Sequence, residues 1–325
     1  MSEIAILIPC YNEAPTIGGV VKSFKEIDPH ASVYVYDNNS TDETALIAKD
    51  AGAIVVKEYR QGKGYVMRSM FSEIEADVYI MIDGDGTYDA GDTYALGEDI
   101  LTGRADIVIG DRLSSTYFTE NTRFGHNAGN KLICWLINTI FKSDVRDVMT
   151  GARAFSRPFV KSCASLEAGF EIEIEITTHA LDKNFTMTQH PVKYTDRIEG
   201  SVSKLDTIPD GLRVLKTIFA LFKDFRPLFF FSLFSAILLL AALGFFWLPL
   251  TDYLQTGVTT RLPSMTVAMA LGVCALLSMV CGVILDSIRK QSRTLVEIEL
   301  MHIRGQRPTS RMRQLQEQQQ QISDV

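Results

Sequence analysis

Asp83, Asp85 and Asp89 lie within the segment MIDGDGTYDA, residues 81–90, directly after an apolar run and separated by Gly84 and Gly86. Side chains so placed can do one of two things. Asp and Gly are ordinary turn formers, so the segment can be a solvated acidic turn. Carboxylates are also hard oxygen donors, and a pair of them can hold a divalent cation together with a phosphate-bearing ligand. Mg2+ or Mn2+ takes one or two carboxylates in such sites and fills the rest of its sphere with phosphate oxygens and water. The two glycines would let the backbone approach that ligand closely. D-x-D alone does not choose between these readings.

Four further polar clusters bear on the choice: PCYNE (9–13), DNNSTDE (37–43), RQGKG (60–64) and GDR (110–112). Asp37 could accept an N–H from a nucleotide base, while Ser40 and Glu43 have the S-x-x-E spacing of a capping box that opens a helix. Lys63 and Arg68 suit either a phosphate or base contact or a solvated surface. The stretch is not a P-loop, and no G-x-G-x-x-G follows the first strand. Glu171, Glu173 and Glu175 alternate with isoleucines, which suits a half-exposed strand or the edge of a helix. His126 and His179 read as structural or helix-cap residues, and His190 gives no indication either way.

The elements that must position these clusters alternate in kind. Short β-rich runs at Ile4–Ile8, Val33–Tyr36, Ile54–Val56, Val78–Ile82 and Ile107–Ile109 are separated by helical patterns at Thr16–Lys25, Asp42–Ala51, Gly64–Ser72 and Asp92–Leu101. Such alternation predicts an α/β domain with a mostly parallel sheet covered on both faces. Ligands of these sheets bind beyond the carboxyl ends of the strands, where all five clusters fall.

The composition narrows the class. A formal net charge of −7 argues against a nucleic-acid-binding surface. The cysteines Cys10, Cys134, Cys163, Cys274 and Cys281 show no metal-type spacing and read as small buried side chains in a reducing compartment. No signal peptide is visible. No charged residue occurs between Arg226 and Asp252, or between Arg261 and Asp286. Each run can cross a hydrocarbon core of about 30 Å at about 1.5 Å per residue, so a two-helix transmembrane hairpin is predicted. Arg213, Lys216, Lys223 and Arg226 precede the first run, and Arg289, Lys290 and Arg293 follow the second. By the positive-inside bias both chain ends face the cytoplasm. DGLRVLKTIFALFKDF (210–225) is either an interfacial helix on the membrane or a helix packed on the soluble domain. RQLQEQQQQISDV, at the end, is a low-complexity tail.

PCYNE, DNNSTDE and DGDGTYD, in this order and on these strands, resemble family 2 glycosyltransferases with the GT-A nucleotide-sugar-binding fold. DVMTGAR (147–153), RIEGSVSK (197–204) and the two apolar runs are similar to polyprenyl-phosphate glycosyltransferases, both dolichyl-phosphate mannose synthases and bacterial undecaprenyl-phosphate hexosyltransferases. The resemblance implies a cytoplasmic catalytic domain at 1–205, an amphipathic juxtamembrane helix at 206–226, transmembrane helices at 227–286 and a cytoplasmic helical tail at 287–325. It places Pro9, Tyr11, Glu13 and Asp37 around the nucleotide, with Lys63 and Arg153 also on the donor side. Asp83 and Asp85 become the D-x-D pair for Mg2+ or Mn2+, with Asp85 the direct ligand. Asp147 falls where a carboxylate neighbours the transferred sugar, and Arg197, Ser203 and Lys204 would bind phosphates. Thr87 stands where some relatives place a Gln metal contact. The activity implied is inverting transfer of a hexose from a nucleotide sugar, UDP-glucose or UDP-N-acetylglucosamine, to undecaprenyl phosphate at the bacterial inner membrane. GDP-mannose transfer and a non-catalytic membrane scaffold stay open as alternatives, as does homo-oligomerisation.

Overall fold

The computed structural model describes residues 3–114, 126–163, 172–195, 219, 222–258 and 261–306. The chain divides into two compact units, residues 1–206 with 296–325, and residues 207–295.

In the first unit seven strands form one sheet: β1 (Ile4–Cys10), β2 (Ser32–Asp37), β3 (Ile54–Lys57), β4 (Val78–Met81), β5 (Ile107–Asp111), β6 (Arg153–Ser156) and β7 (Met187–Pro191). Their order is β3-β2-β1-β4-β6-β5-β7. Every neighbouring pair is parallel except those made by β6, which runs antiparallel to both β4 and β5. Side chains alternate between two buried faces, as the strand period requires. Ile6, Ile8, Val78, Ile80 and Ile82 enter one core with Ile17, Val21 and Phe24 of α1 (Ile17–Ile27). Leu7, Tyr79 and Met81 enter the other with Val66, Met67, Met70 and Phe71 of α3 (Lys63–Glu73), together with Phe155 and Phe159. Two covered faces explain why these strands are continuously apolar.

The remaining helices of this unit are α2 (Thr44–Asp50), α4 (Ala90–Ala95), α5 (Gly97–Leu101), α6 (His126–Phe141), α7 (Arg157–Ser162) and α8 (Ile172–Asp182). Two expectations need correction here. The helix predicted over Asp92–Leu101 is two short helices meeting at Leu96, whose backbone is helical but whose N–H bonds back to Thr93 and Tyr94. The Ser40/Glu43 capping box is not formed, because α2 starts only at Thr44. Ser40 Oγ instead accepts from Asn12 N at 2.9 Å, and Asp42 Oδ1 accepts from Thr44 N at 3.0 Å. Of the strand and helix readings open for Glu173 and Glu175, the structure has the helix.

The second unit contains α9 (Pro227–Thr256) and most of α10 (Leu262–Gln306). Both helices are long and apolar enough to cross a membrane. The share of each apolar window buried within the protein is 6% and 17%, so they do not read as core helices of a soluble domain. Cys274 and Cys281 are therefore exposed on α10, contrary to the buried reading, whereas Cys10, Cys134 and Cys163 are buried. The segment 207–218, which holds most of the expected juxtamembrane helix, lies outside the described residues.

Two predictions follow from the packing. Phe155 is fully buried, edge-on to Phe71 at 5.5 Å and stacked on Phe159 at 5.4 Å. Phe155→Ala is expected to cost about 3–5 kcal/mol, read as a fall in denaturation midpoint. Glu58 fixes the turn between β3 and α3. It accepts from Arg60 Nε and Nη2, each at 2.9 Å, and from the Ser69 hydroxyl. The Arg60 hydrogen bonds outweigh burial and hold the Glu58 carboxyl down at about 2. A depressed carboxyl stabilises the fold above the ordinary glutamate range and loses that effect as pH falls towards its folded value. The stability gap between the wild type and Glu58→Gln should be full at neutral pH and close as pH approaches 2.

Candidate functional site

The sheet order reverses at β1, which has β2 on one side and β4 on the other. This makes the carboxyl ends of β1 and β4 the switch point of the sheet, the place where sheets of this kind receive ligands. Pro9 and Cys10 end β1 in register with Tyr36 and Asp37 of β2. Asn12 then turns the chain with φ 55, a conformation Asn tolerates better than most residues. Glu13 anchors this turn through its backbone: its N–H donates to Thr44 Oγ1 at 2.9 Å, and its carbonyl accepts from Thr16 N and Ile17 N. Tyr11 and Glu13 are half-buried, while Asp37 is buried with Oδ1 accepting from Ser40 N at 3.2 Å.

The acidic turn after β4 packs directly on this end. A Cβ on Gly84 would come within 2.6 Å of Cys10 Sγ, so the close approach needs glycine. The Gly84 carbonyl accepts from Thr16 Oγ1 at 2.7 Å, and Gly86 follows with φ 70. Asp85 is 5% exposed, and its Oδ1 accepts from both Thr87 N at 3.2 Å and Thr87 Oγ1 at 2.7 Å. Thr87 thus aims the Asp85 carboxylate. Burial pushes the Cys10 thiol well up, and Glu13, Asp37, Asp83 and Asp85 add to the effect. Those four carboxylates share one neighbourhood.

Lys63, at the start of α3, places Nζ 2.7 Å from Asp83 Oδ1 and 2.5 Å from Glu173 Oε1. Burial opposes its charge, but Asp83 and Glu173 outweigh burial and push the ammonium pKa up. A Cβ at position 151 would overlap the Asp83 carboxylate, so Gly151 makes the space for it. Arg68 is exposed on α3.

A second polar centre lies at the β5 end. Arg112 Nε donates to Asp147 Oδ2 at 2.8 Å, and its guanidinium lies 5.7 Å from the Tyr194 ring centre. Asp147 is fully buried. Its Oδ1 accepts from Asn130 Nδ2 at 2.9 Å and Met149 N at 3.2 Å. Asp147 thus holds Arg112. Arg153 is fully buried, and its guanidinium donates to the carbonyls of Thr150 and Val148 and to Thr177 Oγ1. These bonds clamp the 147–151 turn. His179 is half-buried against Phe159 and Phe185, with its pKa lowered to about 4 by desolvation, and the exposed His190 bonds Asp99. Glu171, Arg197, Ser203, Lys204 and the His126 side chain lie outside the described residues.

The carboxylates Asp83 and Asp85 suit a hard divalent cation by donor chemistry. Among the described residues no three His, Cys, Asp or Glu side chains converge as a complete cage. That pattern fits a cation that shares its sphere with a ligand's phosphates rather than one held by protein alone. The sequence marks GDR as a polar cluster but gives no sign that Arg112 meets Asp147, and Thr87 as the partner of Asp85 is visible only in the folded turn.

Residues 5–163 match the glycosyl transferase family 2 profile. Glycosyltransferase AglJ of Haloferax volcanii is 36% identical over 230 residues, covering 70% of this chain and 75% of that protein. A dolichyl-phosphate hexose transferase of the same organism is 26% identical over 216 residues, covering 66% of this chain and 92% of that one. The fold is also that of glucosyl-3-phosphoglycerate synthase from Mycobacterium tuberculosis, solved with Mn2+, uridine diphosphate and phosphoglyceric acid. That likeness has a TM-score of 0.52 at 19% identity and covers 68% of this chain and 78% of the other. With its mostly parallel GT-A-like sheet and its acidic turn at the β4 end, the chain belongs to glycosyl transferase family 2.

Proposed function

We propose that this glycosyltransferase moves a hexose, with inversion, from a UDP-sugar to a polyprenyl phosphate at the cytoplasmic face of a bacterial inner membrane. The observation that carries this reading is the D-x-D turn, buried at Asp85, in a chain that continues into two helices apolar enough to cross a membrane. Support for a lipid phosphate acceptor comes from the relative named a dolichyl-phosphate hexose transferase. Support for a UDP-linked donor and a divalent cation comes from the fold neighbour bound to Mn2+ and uridine diphosphate.

On this reading Asp85 is the protein's direct ligand for Mg2+ or Mn2+, and Asp83 stands beside it. When bound, the cation neutralises charge on the leaving diphosphate. Pro9, Tyr11, Glu13 and Asp37 line the nucleotide side of the crevice. Arg112, aimed by Asp147, presents a fixed positive charge to phosphate at the opposite side, and by the resemblance Arg197, Ser203 and Lys204 are expected to bind phosphate too. Fixed charge of this kind stabilises a developing anion without reorganising at the moment of reaction. The spans hold the crevice at the surface where lipid phosphate is presented, with both chain termini cytoplasmic.

Asp85→Asn preserves shape and removes the ligand charge. It should abolish transfer of labelled hexose to organic-extractable product and weaken Mn2+ binding followed by paramagnetic resonance, while the protein still folds. Near-normal transfer at limiting cation would overturn the assignment.

The acceptor sets the expectation for Asp147. A phosphate monoester has a second pKa near ~6 and is largely anionic at neutral pH. It needs little deprotonation, unlike a sugar hydroxyl, which requires a general base. Asp147→Asn leaves Arg112 without its buried counter-charge and should lower the transfer rate across the whole pH range. A basic limb seen only in the variant, rescued by small carboxylates, would make Asp147 a proton acceptor instead.

A further inference from the structure

Residues 192–195, which follow β7, bind two parts of the sheet edge at once. Val192 N donates to the carbonyl of Asp111, the last residue of β5, at 3.2 Å. Lys193 offers its carbonyl to Asp89 N at 3.2 Å and its N–H to Asp92 Oδ2 at 2.9 Å. Thr195 donates from N at 2.8 Å and from Oγ1 at 3.3 Å to the Thr87 carbonyl. Thr87 is also the residue that aims the Asp85 carboxylate. The segment is therefore a strap, with one end fixed beside Arg112 and the other on the acidic turn.

Two aromatic rings lie at the middle of the strap. Tyr88 and Tyr194 pair as an antiparallel bridge, with ring centres 5.1 Å apart and planes at 77°. Such edge-to-face contact is a favoured arrangement of aromatic rings. Tyr88 is 7% exposed, and its Oη accepts from Gly151 N at 2.9 Å. Gly151 is the residue whose missing side chain admits the Asp83 carboxylate. The half-buried Tyr194 carries the Arg112 guanidinium over its ring, 5.7 Å from the centre. The ring quadrupole attracts that cation. Asp147 fixes the guanidinium at Nε, and the ring limits the tilt of its plane.

We propose that Tyr194, braced by Tyr88, is a positioning residue for Arg112, and that the 192–195 strap sets the separation between the acidic turn and this guanidinium. The proposal rests on the reading of Arg112 as the cation that meets the acceptor phosphate. Transfer between two bound molecules needs the reacting atoms within roughly 3–3.5 Å of each other, so the spacing of the two phosphate sites has little tolerance. The strap supplies that spacing with backbone bonds to residues 87 and 89 on one side and to Asp111 on the other. A ring that merely filled the core beside Tyr88 would act on both sites alike. A ring that holds Arg112 acts on the acceptor side alone.

The test uses the full-length protein in detergent with two probes, UDP with Mn2+ for the donor side and farnesyl phosphate for the acceptor side. Dissociation constants are measured by calorimetry, and melting temperatures are recorded for every variant. Tyr194→Leu and Tyr194→Gln both remove the ring at this half-buried position, so either one that folds can be read. Farnesyl phosphate affinity should fall about 2- to 30-fold, the range that a cation–π contact supports. Binding of UDP with Mn2+ should stay at the wild-type value, and Tyr194→Phe, which keeps the ring, should restore the acceptor probe. Equal losses on both probes would make the ring a packing residue and overturn the proposal. Unchanged farnesyl phosphate binding in the ringless variants, where Arg112→Gln weakens it, would overturn the proposal and leave the acceptor reading intact. Farnesyl phosphate that binds no better to the wild type than to Arg112→Gln would remove the acceptor reading of Arg112 and the proposal with it.

Discussion

Lys63 is the cation that allows Asp83 and Glu173 to share one partly buried space beneath the acidic turn. Two carboxylates at hydrogen-bonding distance from one point repel each other at reduced dielectric, and the ammonium between them supplies the counter-charge. The ammonium sits at the first residue of α3, so the start of that helix, the end of β4 and the first turn of α8 are held to one another. Removing one partner of such a group is far more damaging than its net contribution suggests, because a charge is left behind without compensation. Gly151 completes the arrangement, since only a residue without a side chain leaves room for the Asp83 carboxylate.

The same logic repeats at the β5 end with one carboxylate and one cation. Asp147 is fully buried and satisfied by Arg112, Asn130 and a backbone N–H, so its charge is spent on orienting one guanidinium. Arg153 does for the backbone what Asp147 does for Arg112. Its donors hold the carbonyls of Val148 and Thr150, and the turn that carries Asp147 and Gly151 is fixed from beneath. Burial opposes its charge and lowers its pKa, while the nearby Glu173 and Asp147 carboxylates work the other way. The two polar centres are therefore coupled through one short turn, with Gly151 facing Asp83 and Asp147 facing Arg112.

Much of this was legible in the residues, and what was not had definite causes. The strands β1 to β5 announced themselves because both faces of the sheet are covered, which makes each a dense apolar run. β6 and β7 are polar by comparison: RAFS carries the buried Arg153, and MTQHP lies at the edge of the sheet. No periodicity marks them. The D-x-D turn was visible from its glycines. The partners of Asp147 and Arg153 were not. Both are buried in the 147–153 motif, and their bonds to Arg112, Asn130, Thr177 and the turn's own carbonyls come from elements that the motif alone does not bring together. The capping box failed for a similar reason. Ser40 had two local partners within reach, and the 12–14 turn, brought alongside by the β1–β2 pairing, won it from the helix.

The electrostatics of the crevice constrain what can enter it. Glu13, Asp37, Asp83 and Asp85 all act on the buried Cys10 thiol, so the carboxyl ends of β1, β2 and β4 form a region of negative potential. Lys63 offsets part of that charge but is already engaged by two carboxylates. A diphosphate approaching alone would meet repulsion on the Asp85 side. One accompanied by a divalent cation would meet attraction, because Asp85 then faces the cation and the phosphates face away from the acidic turn. Arg112 lies at the end of a different strand and is held by its own carboxylate, so it can meet anionic charge without drawing on Lys63. On the function proposed above, separating a cation-requiring acidic side from a fixed cationic side would let one sheet edge receive two phosphate-bearing molecules, the cation selecting the donor and the guanidinium the acceptor.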